Sequence, residues 1–430
     1  YAPVVSWISV RTCLILSCIL NLKTVQADYS NAFAQAYLNE EIFLKLPQGC
    51  TGRYGKKTVL KLQRSLYGLK QAAACWFDKL HDGLLDLGWK QPLPNLEPCL
   101  FVKDKVICLI YVDDCLFFGT DDAQIRSMIQ DIERAGFTLT IEEDVYAFLG
   151  VEVKFSQETG TVTLLQPGLT AKIIRMAKLE AGNAKATPAD KNPLGPGTDL
   201  DPAHDEDWSY PAMIGCLMYL ASNTRPDIQY AVHACARYTH RPKRLHSVAV
   251  KRIVRYLLGT ADKGLIFRPK QSITLDMYVD ADFAGMWHAA AEEQDPVRVK
   301  SRTGYVILLA GCPLLWCSKL QTEIATSTLE AEFIALSSAM RDLIPTREIF
   351  QALAKSIGLD VPEGSALHST VFEDNNGCLQ LATVPKMTPR TKHIGVKYFW
   401  FRSKVGPKTG INIVKVQTEN QLADTFTKGL

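Results

Sequence analysis

Paired carboxylates set between apolar runs are the strongest chemical signal in this sequence. Val106 to Tyr111 and Cys115 to Phe118 are rich in β-branched and aromatic residues and flank Asp113 and Asp114. That pattern predicts a β-hairpin with an Asp-Asp apex. The ordinary role of such a pair is a turn whose side chains bond their own backbone. A turn that needs only polarity rarely lies between runs this apolar, and two like charges held together cost energy unless a cation neutralises them. Carboxylate oxygens are the ligands Mg²⁺ prefers, so the hairpin is a candidate two-metal site that requires a third carboxylate. Asp28 is the candidate: a short strand-like run, Thr24 to Ala27, ends at it, and a helix-compatible stretch from Asn31 to Ala36 follows.

A second set of acids begins at Leu275. The run Leu275 to Asp282 reads as a strand ending in Asp280 and Asp282, Gly304 to Trp316 supplies further strands, and Thr326 to Glu332 opens a helix. Val371 to Asp374 is another acid-ending strand, and Asn420 to Asp424 follows near the C-terminus. Each acid alone is an ordinary cap or turn residue. Four carboxylates at strand ends and helix starts are what two-metal phosphodiester hydrolysis requires, one ion activating water and the other stabilising the leaving oxygen.

The first block, with Asp28, the Ser65 to Trp76 segment (SLYGLKQAAACW) and the YVDD hairpin in that order, resembles the reverse transcriptase of copia-type LTR retrotransposons, and the second resembles RNase H. The resemblance covers essentially the whole chain. It implies an α/β and α+β multidomain fold: a right-hand polymerase palm with partial fingers at 1–165, thumb and connection at 166–269, and an RNase H-like mixed α/β domain at 270–430. The implied activity is RNA-directed DNA polymerase and ribonuclease H, with two Mg²⁺ (or Mn²⁺) ions per site. The implied catalytic and metal-binding residues are Asp28, Asp113 and Asp114 in the first site, and Asp280, Glu330, Asp374 and Asp424 in the second. Glu330 is preferred to Glu332, two residues on. Tyr29 contributes its backbone near the triphosphate, Phe33 is a steric gate against a 2′-hydroxyl, and Gly68, Lys70 and Gln71 contact nucleotide or template. Phe148, Leu149 and Gly150 lie in a strand, Ala147 to Val153, that resembles the primer grip. His393 matches a family position that is structural or contacts duplex. The implied partners are an RNA template, a DNA primer strand, RNA–DNA hybrid, dNTPs and other parts of the same polyprotein such as integrase and protease. The implied location is an intracellular, cytoplasmic retrotransposon particle, or the nucleus. A fingers segment with a basic strand is expected before Tyr1. Where copia-type enzymes read Gln-Ala-Pro-Arg the chain has Gln71-Ala72-Ala73-Ala74, without the rigid turn and the cation. A reading of another class is a degenerate, retroelement-derived protein that binds nucleic acid without polymerising.

The elements that must position these residues follow from periodicity. With 430 residues, 47% hydrophobic and 22% charged, the chain is long enough for two or three domains. A net charge of +3 does not announce a nucleic-acid binder, so any basic surface is local, with Arg237 to Arg255 and Lys386 to Lys404 as candidates. The twelve Cys lack metal or disulfide spacing and read as reduced thiols. Val4 to Leu22 is apolar but interrupted by Arg11, which favours a buried helix capped by Ser6 over a membrane span. Further helices are expected over Trp76 to Leu87, Asp122 to Ala135 and Leu245 to Gly259. Ile141 to Asp144 is acidic where some polymerases place a Lys. The Pro, Gly and Asp-rich Thr187 to Asp207 reads as a linker, and Met286 to Lys300 as an exposed loop.

Overall fold

The computed structural model describes residues 2–47, 58–142, 147–156, 158–286, 298–359, 367–383 and 394–429. Two compact units result, Tyr1–Val145 with Ile349–Asp360, and Tyr146–Glu348 with Val361–Leu430. His393 and most of the Met286 to Lys300 loop lie outside the described residues, as does Asp144.

The first unit contains β1 (Lys23–Tyr29), β2 (Tyr37–Lys45), β3 (Val59–Arg64), β4 (Leu100–Lys103), β5 (Val106–Tyr111), β6 (Asp114–Gly119) and β7 (Leu139–Glu142). Five of them form an antiparallel sheet in the order β4-β5-β6-β1-β7, and β2 and β3 form a separate ladder. The helices Ala72–Asp86 and Asp122–Arg134 cover the sheet through Trp76, Leu80 and Leu84, and through Ile125, Met128, Ile129 and Ile132. In the second helix those apolar positions recur at the three- and four-residue spacing of one face. Asp121 caps its start by accepting from the Ala123 N–H at 3.0 Å. The first helix begins at Ala72, earlier than the expected Trp76. The reason is the Ala72-Ala73-Ala74 run: with no proline present, the strongest helix formers extend the helix toward its N-terminus.

Val4 to Leu22 folds as the helix Trp7–Leu20, with Ser6 accepting from the Ser9 N–H. The Arg11 guanidinium is buried, lies 5.3 Å from the Trp7 ring centroid, and is pushed down to about 9 by burial. Among the described residues no helix is long and apolar enough to cross a membrane.

The second unit opens with β8 (Ala147–Phe148), β9 (Val151–Ser156) and β10 (Thr161–Leu165), joined at the sheet edge by β11 (Leu265–Phe267). Ala147 to Val153 is therefore a hairpin rather than one strand; its turn residues Leu149 and Gly150 have φ of 52° and 70°. Four helices, Pro167–Met176, Tyr210–Asn223, Gln229–Ala236 and Arg244–Gly259, share one apolar core. Thr187 to Asp207 has no helix or strand but is strapped along the last of these. Arg252 donates to the Thr187 carbonyl and to Asp190, His246 meets the Gly195 carbonyl, and Lys251 pairs with Glu206 at 2.7 Å.

The rest is a mixed sheet of β12 (Leu275–Asp282), β13 (Arg302–Leu309), β14 (Cys312–Leu320), β15 (Ser369–Glu373) and β16 (Ile411–Lys415), ordered β14-β13-β12-β15-β16. The first three strands pair antiparallel, whereas β12 with β15 and β15 with β16 are parallel. Parallel pairs need crossovers. The helix Thr328–Ile357 provides one, and Asn376–Thr383 lies within the other.

Candidate active sites

In the first unit, the register of β1 on β6 sets Asp28 directly opposite Asp114. The hairpin turn lies one residue earlier than the Asp-Asp pair suggested: Tyr111 pairs with Asp114, so Val112 and Asp113 form the two-residue connection. Val112 has φ 56°, a conformation that a β-branched residue adopts only when its surroundings enforce it. Two hydrogen bonds enforce it here. The Trp76 indole N–H donates to the Val112 carbonyl at 2.5 Å, and the Tyr29 backbone N–H donates to the Asp113 carbonyl at 2.7 Å. Tyr29 itself, 1% exposed, is packed edge-on against Trp76 and Phe137. The backbone of Tyr29, expected to lie near a triphosphate, thus has its N–H engaged in shaping the turn.

The result is a set of carboxylates that burden one another. Asp28 is raised by burial and by the charge of Asp113. Asp114 is raised to about 6 by burial, then by Asp113, Asp28 and Glu142, against a hydrogen bond from Gln26. The donor set is oxygen only, and mutual repulsion of this kind is what a hard divalent cation relieves. Of the remaining residues expected here, Phe33 lies in the short helix Ala32–Gln35 and packs its ring on Tyr67 at 4.6 Å between centroids. Gly68 has φ 94° with open space around it, Lys70 is exposed, and Gln71 immediately precedes the helix Ala72–Asp86. Phe148, Leu149 and Gly150 belong to the second unit, where Phe148 is buried and the Leu149 carbonyl accepts from the Tyr219 hydroxyl.

In the second unit, Asp280 on β12, Glu332 in the helix Thr328–Ile357 and Asp374 just past β15 bring oxygens within 4.8 Å of one another. The glutamate in this cluster is Glu332, where the sequence reading preferred Glu330. Glu330 instead accepts from the backbone N–H and hydroxyl of Thr326, while its own N–H donates to the Ser327 hydroxyl. It closes the helix start in the manner of a capping box. Two residues on, about 200° around the helix, Glu332 faces the other acids. The signal that separates them is Ser327-Thr-Leu-Glu330, the S-x-x-E pattern of an N-terminal cap.

Asp424 is not one of the three clustered acids. It opens the short helix Asp424–Thr427 and pairs with Lys428 at 2.8 Å, and Lys428 reaches Asp280 at 3.8 Å. Thr427 donates to Asp280 at 2.5 Å. Gly304, opposite Asp280 in the β12–β13 register, makes this docking possible: a Cβ there would come within 2.6 Å of Thr427 Cγ2 and 2.9 Å of Phe426 Cβ. Asp280, 3% exposed, is raised to about 6, by burial first, with Thr427 and Lys428 opposing and Asp424 and Asp374 adding. Glu332 is raised further by burial and by Glu373, and its Oε2 has no hydrogen-bond partner. A buried, unsatisfied carboxylate oxygen facing two other acids fits a divalent cation. Beside Asp374 lies an open hollow of about 550 Å³ lined by residues 415–419, with the Thr418 hydroxyl 3.2 Å from Asp374.

The roles of Trp76, Val112, Tyr67, Thr427 and Lys428 escaped the sequence reading, and Glu332 was named there only as the alternative to Glu330. Tyr67, Trp76 and Val112 lie inside the quoted SLYGLKQAAACW and YVDD blocks, but the contacts that give them their roles are tertiary and leave no local pattern.

Comparison with known proteins gives one family match, described as reverse transcriptase (RNA-dependent DNA polymerase), over residues 1–191. The Pol polyprotein of transposon RE2 from Arabidopsis thaliana is 31% identical over 438 residues, covering 100% of this chain and 28% of the relative. That of transposon TNT 1-94 from Nicotiana tabacum is also 31% identical, covering 100% of this chain and 31% of the relative. A putative transposon Ty5-1 protein of Saccharomyces cerevisiae is 27% identical over 322 residues, covering 74% of this chain and all of the relative. The chain thus spans less than a third of the two plant polyproteins. Among solved structures, the N-terminal RNase H domain of a Mycobacterium tuberculosis protein aligns over 36% of this chain and 91% of that chain at 14% identity and a TM-score of 0.24, too slight a likeness to assign a fold.

Proposed function

This chain belongs to the copia-type retrotransposon Pol polyproteins, as their reverse transcriptase and RNase H region, and from that premise we propose that it is an RNA-directed DNA polymerase whose second site degrades the RNA of the resulting hybrid. The observation that carries the polymerase reading is the register setting Asp28 opposite Asp114, with Asp113 at the hairpin turn.

Residues 1–165 are read as palm, with the hairpin of 147–165 lying in the second compact unit, 166–269 as thumb and connection, and 270–430 as the RNase H-like domain. Asp28, Asp113 and Asp114 would hold the polymerase cations, and Asp280, Glu332 and Asp374 those of the nuclease, with Asp424 nearby and paired to Lys428. Bound Mg²⁺ would supply activation of the attacking oxygen and charge neutralisation on the phosphate in both sites. The protein's own part is to hold these carboxylates close and aligned, in surroundings that disfavour their ionised form until a cation offsets the repulsion. Trp76 and Tyr29 fix the turn on which Asp113 lies, so that its carboxylate does not swing when substrate enters. Phe33 is the side chain that meets C2′ of the incoming nucleotide, Lys70 and Gln71 approach nucleotide or template, and Phe148 to Gly150 press the primer end. In the nuclease site Lys428 holds Asp424 and Asp280 together. The hybrid is read by its 2′-hydroxyls and groove shape rather than by sequence. Template, primer and dNTPs are the substrates, and other polyprotein segments the partners, inside a retrotransposon particle in the cell.

Primer extension on poly(rA)/oligo(dT) with Mg²⁺, run beside cleavage of the RNA in a labelled hybrid, tests the reading. Mg²⁺-dependent activity in both assays is expected. Binding of the hybrid without either activity would identify the chain as a nucleic-acid binder that no longer catalyses.

A further inference from the structure

Phe33 is only half-buried and lies in a helix of four residues, a weak platform for a side chain whose proposed work is to withstand contact with a sugar hydroxyl. Its helix accepts no side-chain cap at Asn31, which has φ 52°. The ring is therefore held from outside its own helix, by the edge of the first unit's apolar core on one hand and by an aromatic partner on the other. Its aromatic partner is Tyr67, from the loop after β3, at 4.6 Å between centroids and tilted by 48°. Tyr67 is 54% exposed, so its position is not explained by core burial. Its hydroxyl is raised by burial and by the charges of Asp113 and Asp28, so it stands in the field of the carboxylates that define the first site.

We propose that Tyr67 is a positioning residue for sugar selection: its ring backs Phe33 and prevents it from turning away when a ribonucleotide enters beside Asp28 and Asp113. This rests on the polymerase reading above. The ring, not the hydroxyl, carries the role, because the contact with Phe33 is between ring faces and edges, the geometry in which aromatic pairs attract. The Gly68 that follows has φ 94°, a conformation open to glycine that lets the loop turn directly after Tyr67.

The test measures KM and kcat for a deoxynucleotide and the matching ribonucleotide in primer extension by wild type, Tyr67→Ala, Tyr67→Phe, Phe33→Val and the double variant Tyr67→Ala/Phe33→Val. Tyr67→Ala should lower discrimination against the ribonucleotide about three- to tenfold, the range that an aromatic pair's coupling corresponds to. The change should appear in the ribonucleotide's KM, with kcat for the deoxynucleotide near wild type. Tyr67→Phe should retain wild-type discrimination, and the double variant should be no worse than Phe33→Val alone. Unchanged discrimination in Tyr67→Ala, an equal loss in Tyr67→Phe, or additive losses in the double variant would each overturn the proposal. Absence of extension by the wild-type protein overturns the polymerase reading first and this one with it, so the two failures are distinguishable.

Discussion

At the scale of single residues, the two glutamates Glu330 and Glu332 differ only in the direction they face from one helix turn, and that decides their chemistry. Glu332→Gln should reduce Mg²⁺-dependent hybrid cleavage on the order of a hundredfold or more, since it removes charge from the cluster at the reacting centre. Glu330→Gln should cost only about 1 kcal/mol of stability through the weakened helix start, with cleavage retained. Equal losses of cleavage in both, measured on folded protein, would reverse the assignment. The pH behaviour has a definite sign. The pKa of Asp280 is raised in the folded state, to about 6, so the fold binds its proton more tightly than the unfolded chain does. Metal-free stability therefore rises as pH falls from about 6 toward about 4 and carries a penalty above that window. Asp280→Asn removes the penalty and should raise the metal-free Tm at pH 7, while abolishing cleavage; thermal melts at pH 5 and pH 7 check it. The acids were legible from their places at strand ends. Which glutamate lies beside Asp280 and Asp374 was not read from the sequence, which preferred Glu330, although the cap pattern that begins at Ser327 was there to mark Glu330 as a helix-start residue.

At the scale of elements, both sites depend on contacts that join segments distant in sequence. The Val112 turn is held in a conformation its side chain resists, so the Trp76 indole N–H matters more than a buried ring alone. Trp76→Phe keeps an aromatic ring in the core but loses that donor, and should cost about 1 kcal/mol of stability. It should also lower primer extension about tenfold, with recovery when Val112→Gly is added, because glycine adopts positive φ without strain. Failure of Val112→Gly to recover extension would mean that Trp76 acts only through packing. Gly304→Ala places a methyl 2.6 Å from Thr427 Cγ2 and should displace the short helix carrying Asp424. Cleavage should fall at least tenfold with extension unchanged, and cleavage near the wild-type rate would show that the helix has room to yield. The hairpin and helix periodicities were plain in the sequence. The turn's one-residue shift and the docking of the last helix were not, since register is set by pairing with β1 and by close approach over Gly304, neither of which leaves a local pattern.

At the scale of the whole molecule, the two acid clusters lie in different compact units, and this separates their energetics. The sequence reading recognised two catalytic blocks from motif order. It grouped residues 147–165 with the first block through their resemblance to a primer grip, and the family match also runs through them; in the fold, β10 pairs with β11 from Leu265–Phe267, and this sheet is counted with the second unit. Pairing across about a hundred residues of intervening helix cannot be seen in a local window. A cation held by either cluster in the folded state and not in the unfolded chain would stabilise the protein by an amount set by its concentration relative to Kd, about 2.7 kcal/mol for one site at a hundredfold excess. Sites without shared ligands contribute independently. Adding Mg²⁺ should therefore raise the Tm of wild type by more than that of Asp113→Asn or of Asp280→Asn, each relative to its own metal-free baseline. The double variant should lose nearly the whole response. A single substitution that removes the entire Mg²⁺ response would show that only one of the two clusters holds the ion, and the activity surviving in that variant would then identify which reaction proceeds without it.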